Sequence, residues 1–299
     1  MTDKTVAIAF PGRVGVFWNS EPWPIREAQN IAREIEALGF GSLFMPEGGG
    51  KNALVESAAF LAATDRLVVG TGIANIHFRM PIPAETGART LAALHPERFV
   101  LGLGVSHAPF VEETMKGTYG KPLATMRTYL QRMDSVPAEI EEGARPARVL
   151  AALGPKMIEL SGELADGAHP YLVTPEQTAA TRAILGPGKW VISEQAVAIG
   201  GDARDQLRRA HSHLEFYSQM DNYRNSWLRQ GFDESDLVIG GSERLARALV
   251  GMGSPAEAAA SVTAHLDAGA DHVVVQIAVE SPTTDPLPEL RELAGALQL

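Results

Sequence analysis

Short, nearly continuous apolar runs alternate along this chain with stretches whose apolar positions recur at helical spacing. Residues 40–45 (FGSLFM), 67–73 (LVVGTGI) and 99–105 (FVLGLGV) are apolar nearly throughout, as strands buried on both faces of a parallel sheet are. Between them the period changes. Pro24 suits a helix start, Ala28, Ile31, Ala32, Ile35 and Leu38 form one apolar stripe, and Gly39 suits the stop. A second helix is expected over 83–94, halted by His95 and Pro96. Further strands over 14–18, 148–152, 167–173, 190–198 and 272–278 bring the number to eight, and a last helix over 288–297 follows the eighth. Residues 199–271 read as largely helical, with stripes such as Leu207, Ala210, His211, Leu214 and then Leu245, Ala248, Leu249. That is longer than one crossover, so a helical insertion is expected between strands seven and eight. Eight βα units in 299 residues predict an α/β fold, a (β/α)8 barrel. A doubly wound open sheet is the competitor, but no G-x-G-x-x-G turn joins a strand to a helix. No linker or low-complexity run divides the chain, so 1–299 is expected to form one domain.

Composition narrows the partners. Asp and Glu outnumber Lys and Arg by 36 to 26, a net charge of −10, which argues against nucleic acid and anionic membrane surfaces. The absence of Cys excludes disulfides, thiolate zinc sites and thiol catalysis. No stretch approaches the roughly 18 apolar residues of a membrane span. The apolar run in MTDKTVAIAFPG is broken by Pro11 and Gly12, too early for a signal sequence. A cytoplasmic protein acting on a small molecule is the expectation.

Three polar residues, Glu47, His77 and His107, each fall just past a predicted strand and lie 30 residues apart, one βα unit per step. His169 sits at the corresponding place on a later strand. In a (β/α)8 barrel these positions converge on one mouth, where active sites are built. The plainer reading is that each merely meets water beyond a buried strand. One carboxylate and three imidazoles would suit zinc, but no H-x-H pair lies on a strand; His211 and His213 fall on a predicted helix and face different ways. No metal site is expected. The segment Ala152-Leu153-Gly154-Pro155-Lys156 opens a helix after a strand; its free N–H groups and Lys156 would favour an anion, although Gly-Pro helix starts are common. Glycines in GTGIAN (70–75) and GLGVSH (102–107) mark either the approach of a flat ligand or a tight barrel interior.

The segments VVGTGIANI (68–76), GARTLAALHPERF (87–99), VLGLGVSH (100–107), LGPKMIEL (153–160) and ELADGAHPYLVTPE (163–176) together resemble the bacterial luciferase-like flavin and deazaflavin oxidoreductases. The similarity is best to their coenzyme F420-dependent branch. The resemblance implies a (β/α)8 barrel, hydride exchange with a deazaflavin, and a homodimer. It also implies a non-prolyl cis peptide at Gly72–Ile73 behind the cofactor ring, with Asn75 at its pyrimidine edge. Val105 and Ser106 match ring- and ribityl-contacting positions, and Leu153, Gly154 and Lys156 match the phosphate cradle. Where sugar-phosphate dehydrogenase members carry an Asp-His pair after strand two, this chain has Pro46-Glu47; their glutamate after strand four is His107 here. A sugar phosphate is therefore not expected. His107 and Glu47 are the candidate acid/base groups, His107 with an ordinary pKa near about 6.5, and His77 and His169 are expected in the substrate pocket. The alternatives are a reduced-FMN monooxygenase of the same fold, a metal-dependent hydrolase and a non-catalytic flavin-binding protein.

Overall fold

A computed structural model describes residues 8–137 and 145–299. Ten strands run in the order β1 (Val14–Phe17), β2 (Ser42–Met45), β3 (Val68–Thr71), β4 (Ala74–Asn75), β5 (Phe99–Gly104), β6 (Ala147–Ala151), β7 (Gly167–His169), β8 (Trp190–Ala198), β9 (Val250–Met252) and β10 (His272–Ile277). Helices α1 (Ile25–Ala37), α2 (Ala53–Leu61), α3 (Pro81–Leu94), α4 (Pro122–Met133), α5 (Pro155–Leu164) and α6 (Pro175–Leu185) connect the earlier strands. After β8 come α7 (Ala203–Glu215), α8 (Asp221–Arg229), α9 (Glu243–Leu249) and α10 (Pro255–Asp267), and α11 (Leu287–Leu297) closes the order.

Every pairing is parallel, and the sheet closes because β10 pairs with both β1 and β8. β3 and β4 are one barrel strand interrupted at Gly72–Ile73, and β9 pairs only with β8 and lies off the closed ring, so eight staves form a (β/α)8 barrel. The interruption is a cis peptide bond at the position the resemblance implied. Burial follows the expected stripes: Ala28, Ile31, Ala32 and Ile35 of α1 face the core. Glycines in the strands answer to packing. A Cβ on Gly70 would come within 2.4 Å of the Phe44 ring, and one on Gly102 within 1.9 Å of the Thr71 carbonyl. The tight-interior reading therefore accounts for these positions.

Two expectations need correction. The strand expected over 167–173 ends at His169, because Pro170 has no N–H for the ladder and Leu172 takes a positive φ of 52°, its N–H going to the Glu194 carboxylate. The 199–271 segment is not wholly helical: β9 pairs with the end of β8, Ala196–Ala198, where β7 no longer runs alongside. No helix among the described residues is long and apolar enough to cross a membrane.

Candidate active site

The C-terminal ends of the strands carry two adjoining cavities. The first, about 330 Å³, lies over the barrel axis and is bounded by Gly72, Ile73, Asn75 and His169, with rings of Phe17, Tyr171, Tyr217 and Tyr223 above. The second, about 360 Å³, runs from Val105 and Ser106 to Leu153, Gly154 and Arg229. Ile73, Ser106, His107, Ala151, His169, Tyr171 and Tyr223 border both, so they form one continuous trough.

The floor is built from strand ends. Glu47, two residues past β2, is buried, and donors surround its carboxylate. Oε1 accepts from the Ala53 N–H at 2.9 Å and Oε2 from the Asn75 N–H at 2.9 Å. The Arg79 guanidinium adds an Nη1 bond to Oε2 at 2.8 Å and a second bond from Nη2 to Oε1. Such a set of donors fixes the carboxyl in place and holds the Asn75 backbone at the end of β4. Asn75 turns its Oδ1 to the His77 N–H at 3.0 Å, shaping the turn that follows. His77 borders neither cavity; its ring stacks on Tyr119 at 5.9 Å, and burial lowers its pKa.

His107 lies at the junction of the cavities. Its Nδ1 lies 3.2 Å from Asn222 Oδ1; with the hydrogen on Nδ1 this is a hydrogen bond to the amide oxygen, and Nε2 then offers a lone pair. Burial lowers its pKa below the ordinary value, partly offset by the Asn222 bond, so the expectation of an unshifted imidazole is corrected. His169 is fixed likewise. Its Nδ1 donates to the Ile192 carbonyl at 2.7 Å, and the buried Nε2, beside Gly72, has no partner among the described residues. Burial pushes its pKa down to about 4, so it stays neutral at physiological pH.

At the far end Gly154 is the N-cap of α5, and no side chain caps the helix N–H groups. A Cβ there would point at Arg229, 3.6 Å from Nη2. Lys156 is exposed and borders neither cavity; the cation at this helix start is Arg229, whose Nη2 also bonds the Leu153 carbonyl at 3.3 Å. Arg229 was not among the candidates, and neither were Tyr171, Tyr217 and Tyr223. The readable signal is Asn222, Asn225 and Arg229 on one face of α8, all bordering the second cavity. Among the described residues no group of three or more His, Asp or Glu is placed to hold a metal ion.

A closed (β/α)8 barrel with a long trough at the C-terminal ends of its strands, ringed by aromatic side chains at one end and by Arg229 and a helix start at the other, has its candidate site where such barrels build active sites. The luciferase-like monooxygenase family profile matches residues 5–272, and the chain belongs to that family. A Mycobacterium tuberculosis protein named as a coenzyme F420-dependent oxidoreductase is 28% identical over 190 residues, 53% of this chain and 54% of that protein. That match spans only about half of the relative's length. Among solved structures, an F420-dependent secondary alcohol dehydrogenase superposes with a TM-score of 0.73 at 14% identity, covering 95% of this chain and 98% of the other. The FMN-bound oxygenating component of a Pseudomonas putida diketocamphane monooxygenase gives 0.67 at 14%, with 94% and 96% covered. At such identities the likeness extends to the fold.

Proposed function

We propose that the chain is a coenzyme F420-dependent oxidoreductase, its deazaflavin lying along the trough with the ring over Gly72, Ile73 and Asn75 at the floor of the axial cavity, and a small organic substrate between that ring and the aromatic wall. The observation that carries this is the continuity of the two cavities, one ending in aromatic rings and the other at Gly154 and Arg229. The residues fit such a group. The Gly154 cradle is open where a side chain would intrude, the α5 N–H groups and Arg229 suit a phosphate, and the unpartnered His169 Nε2 is a polar contact in the floor. Gly72, Ile73, Asn75, Val105 and Ser106 would border the ring and ribityl chain, and Leu153 and Gly154 the phosphate. A bound deazaflavin supplies two-electron hydride exchange. The remaining chemistry belongs to the chain. When a hydroxyl-bearing carbon loses hydride, the O–H proton must leave, and His107 Nε2, neutral with its lone pair free, accepts it; in the reverse direction it returns the proton. Glu47, bonded to Arg79 and to the Asn75 N–H, positions Asn75.

Titration of the purified protein with F420 and separately with FMN, followed by the cofactor's visible absorbance, tests this. F420 should bind more tightly. Arg229→Ala should weaken it about 10- to 100-fold, the loss of one charge-assisted bond, whereas Lys156→Ala should change little. Tighter binding of FMN would turn the reading toward a reduced-FMN monooxygenase, and binding of neither would overturn it.

A further inference from the structure

The wall of the axial cavity is a chain of rings. Phe17 meets Tyr171 at 5.3 Å between centroids, Tyr171 meets Tyr217 at 5.2 Å, and Tyr217 meets Phe216 at 5.3 Å and Tyr223 at 4.9 Å. Among the described residues no Lys or Arg borders this cavity, and its carboxylate, Glu47, is already held by Arg79. A phosphate or carboxylate entering here would lose its hydration and meet no free cation. The hydroxyls are unequal. Tyr217 donates to the Tyr171 oxygen at 3.1 Å, and Tyr171 donates to Gln276 Oε1 at 2.8 Å, so this pair is engaged internally. Among the described residues the Tyr223 hydroxyl has no hydrogen-bond partner, and it borders the cavity beside His107.

We propose, building on the oxidoreductase reading of this site, that the substrate is an uncharged, largely apolar ring compound bearing one carbonyl or hydroxyl oxygen. Its face lies against the Tyr217 and Phe216 side of the cavity, and its oxygen turns to His107 and Tyr223. Edge and face contacts with the rings supply affinity, and two polar groups suffice to orient one oxygen.

Three probes that share one ring and differ in charge decide this: acetophenone, benzoate and phenyltrimethylammonium, each titrated calorimetrically into the F420-loaded protein and into the protein alone. Acetophenone should bind about 100-fold more tightly than benzoate, the consequence of burying an unpaired charge. It should exceed the ammonium ion by about 10-fold, although aromatic walls also attract cations. Phe216 is 50% exposed at the rim, so Phe216→Arg leaves the core intact and places a cation at the cavity. That variant should gain about 10-fold for benzoate, a change that misfolding does not mimic. Benzoate or the ammonium ion binding as tightly as acetophenone overturns the proposal, as does failure of all three. If F420 itself does not bind, the cofactor reading falls, while the ranking on the protein alone still decides the character of the cavity.

Discussion

With its hydrogen on Nδ1, His107 bonds Asn222, and burial favours its neutral form. A neutral imidazole with a free Nε2 is a base, so the protonation state that matters at this residue is the uncharged one. With a small neutral alcohol as substrate, kcat/KM should stay level near neutrality and fall on acidification, with an apparent pKa below the 6.5 of an unperturbed histidine. His107→Gln should lower kcat about 10²- to 10⁴-fold and abolish that acid limb, with little change in cofactor affinity. The pH profile of the two proteins measures this. An acid limb that persists in the variant would assign the titration to another group.

At the level of elements, the Glu47–Arg79 pair ties the loop after β2 to the loop between β4 and α3. Both side chains are nearly inaccessible, at 2% and 9% exposure. An ion pair in such a place contributes little net stability against apolar packing, but removing one partner strands the other charge. Arg79→Met should therefore cost about 3–5 kcal/mol in unfolding free energy. Adding Glu47→Gln should restore much of that loss, since no buried charge remains. Urea unfolding of the parent, the single variants and the double variant measures the coupling. A double variant no more stable than Arg79→Met would show that Glu47 is not the group left stranded. The same loops carry Asn75 and the interrupted strand, so the single variant should also loosen cofactor binding.

For the whole molecule, buried titratable groups set the pH range of the fold. Burial pushes His169, His213 and His265 down to about 4 and His272 to about 3. In the unfolded chain they titrate near 6.5, so between that pH and about 4 unfolding takes up protons and stability falls as pH falls. Each histidine contributes a slope approaching ~1.4 kcal/mol per pH unit. Glu194 works in the opposite sense. Burial raises its carboxyl to about 8, so the folded protein keeps a proton that the unfolded chain has released, and stability falls as pH rises toward 8. Maximum stability is expected near neutrality, with a steep acid side and a shallow alkaline side. Glu194→Gln should flatten the alkaline side and steepen the acid side above the ordinary carboxyl range, because Glu194 there opposes the histidines; thermal unfolding from pH 4 to 9 would reveal both changes.

The barrel was legible in the chain itself because parallel strands buried on both faces must be continuously apolar, and the βα period then repeats at fixed spacing. Residue pattern was enough to place Glu47, His107 and His169 at the catalytic face and to mark Gly154 as a helix start. The cis bond at Gly72–Ile73 came through resemblance, since local pattern carries no sign of it. Tertiary structure decided what each group is free to do. Glu47 reads as a candidate acid in the chain alone, and only the structure shows Arg79 and two backbone N–H groups converging on it. Lys156 and Arg229 exchange places, because a side chain one residue inside a helix start points outward, while a residue 75 positions away on α8 is folded over the cradle. The ring wall joins residues from β1, the loop after β7 and the segment beyond α7, which no local period relates. Burial and direction are properties of the assembled barrel, and at this site they decide which side chains border the trough and which are bound to neighbours behind it.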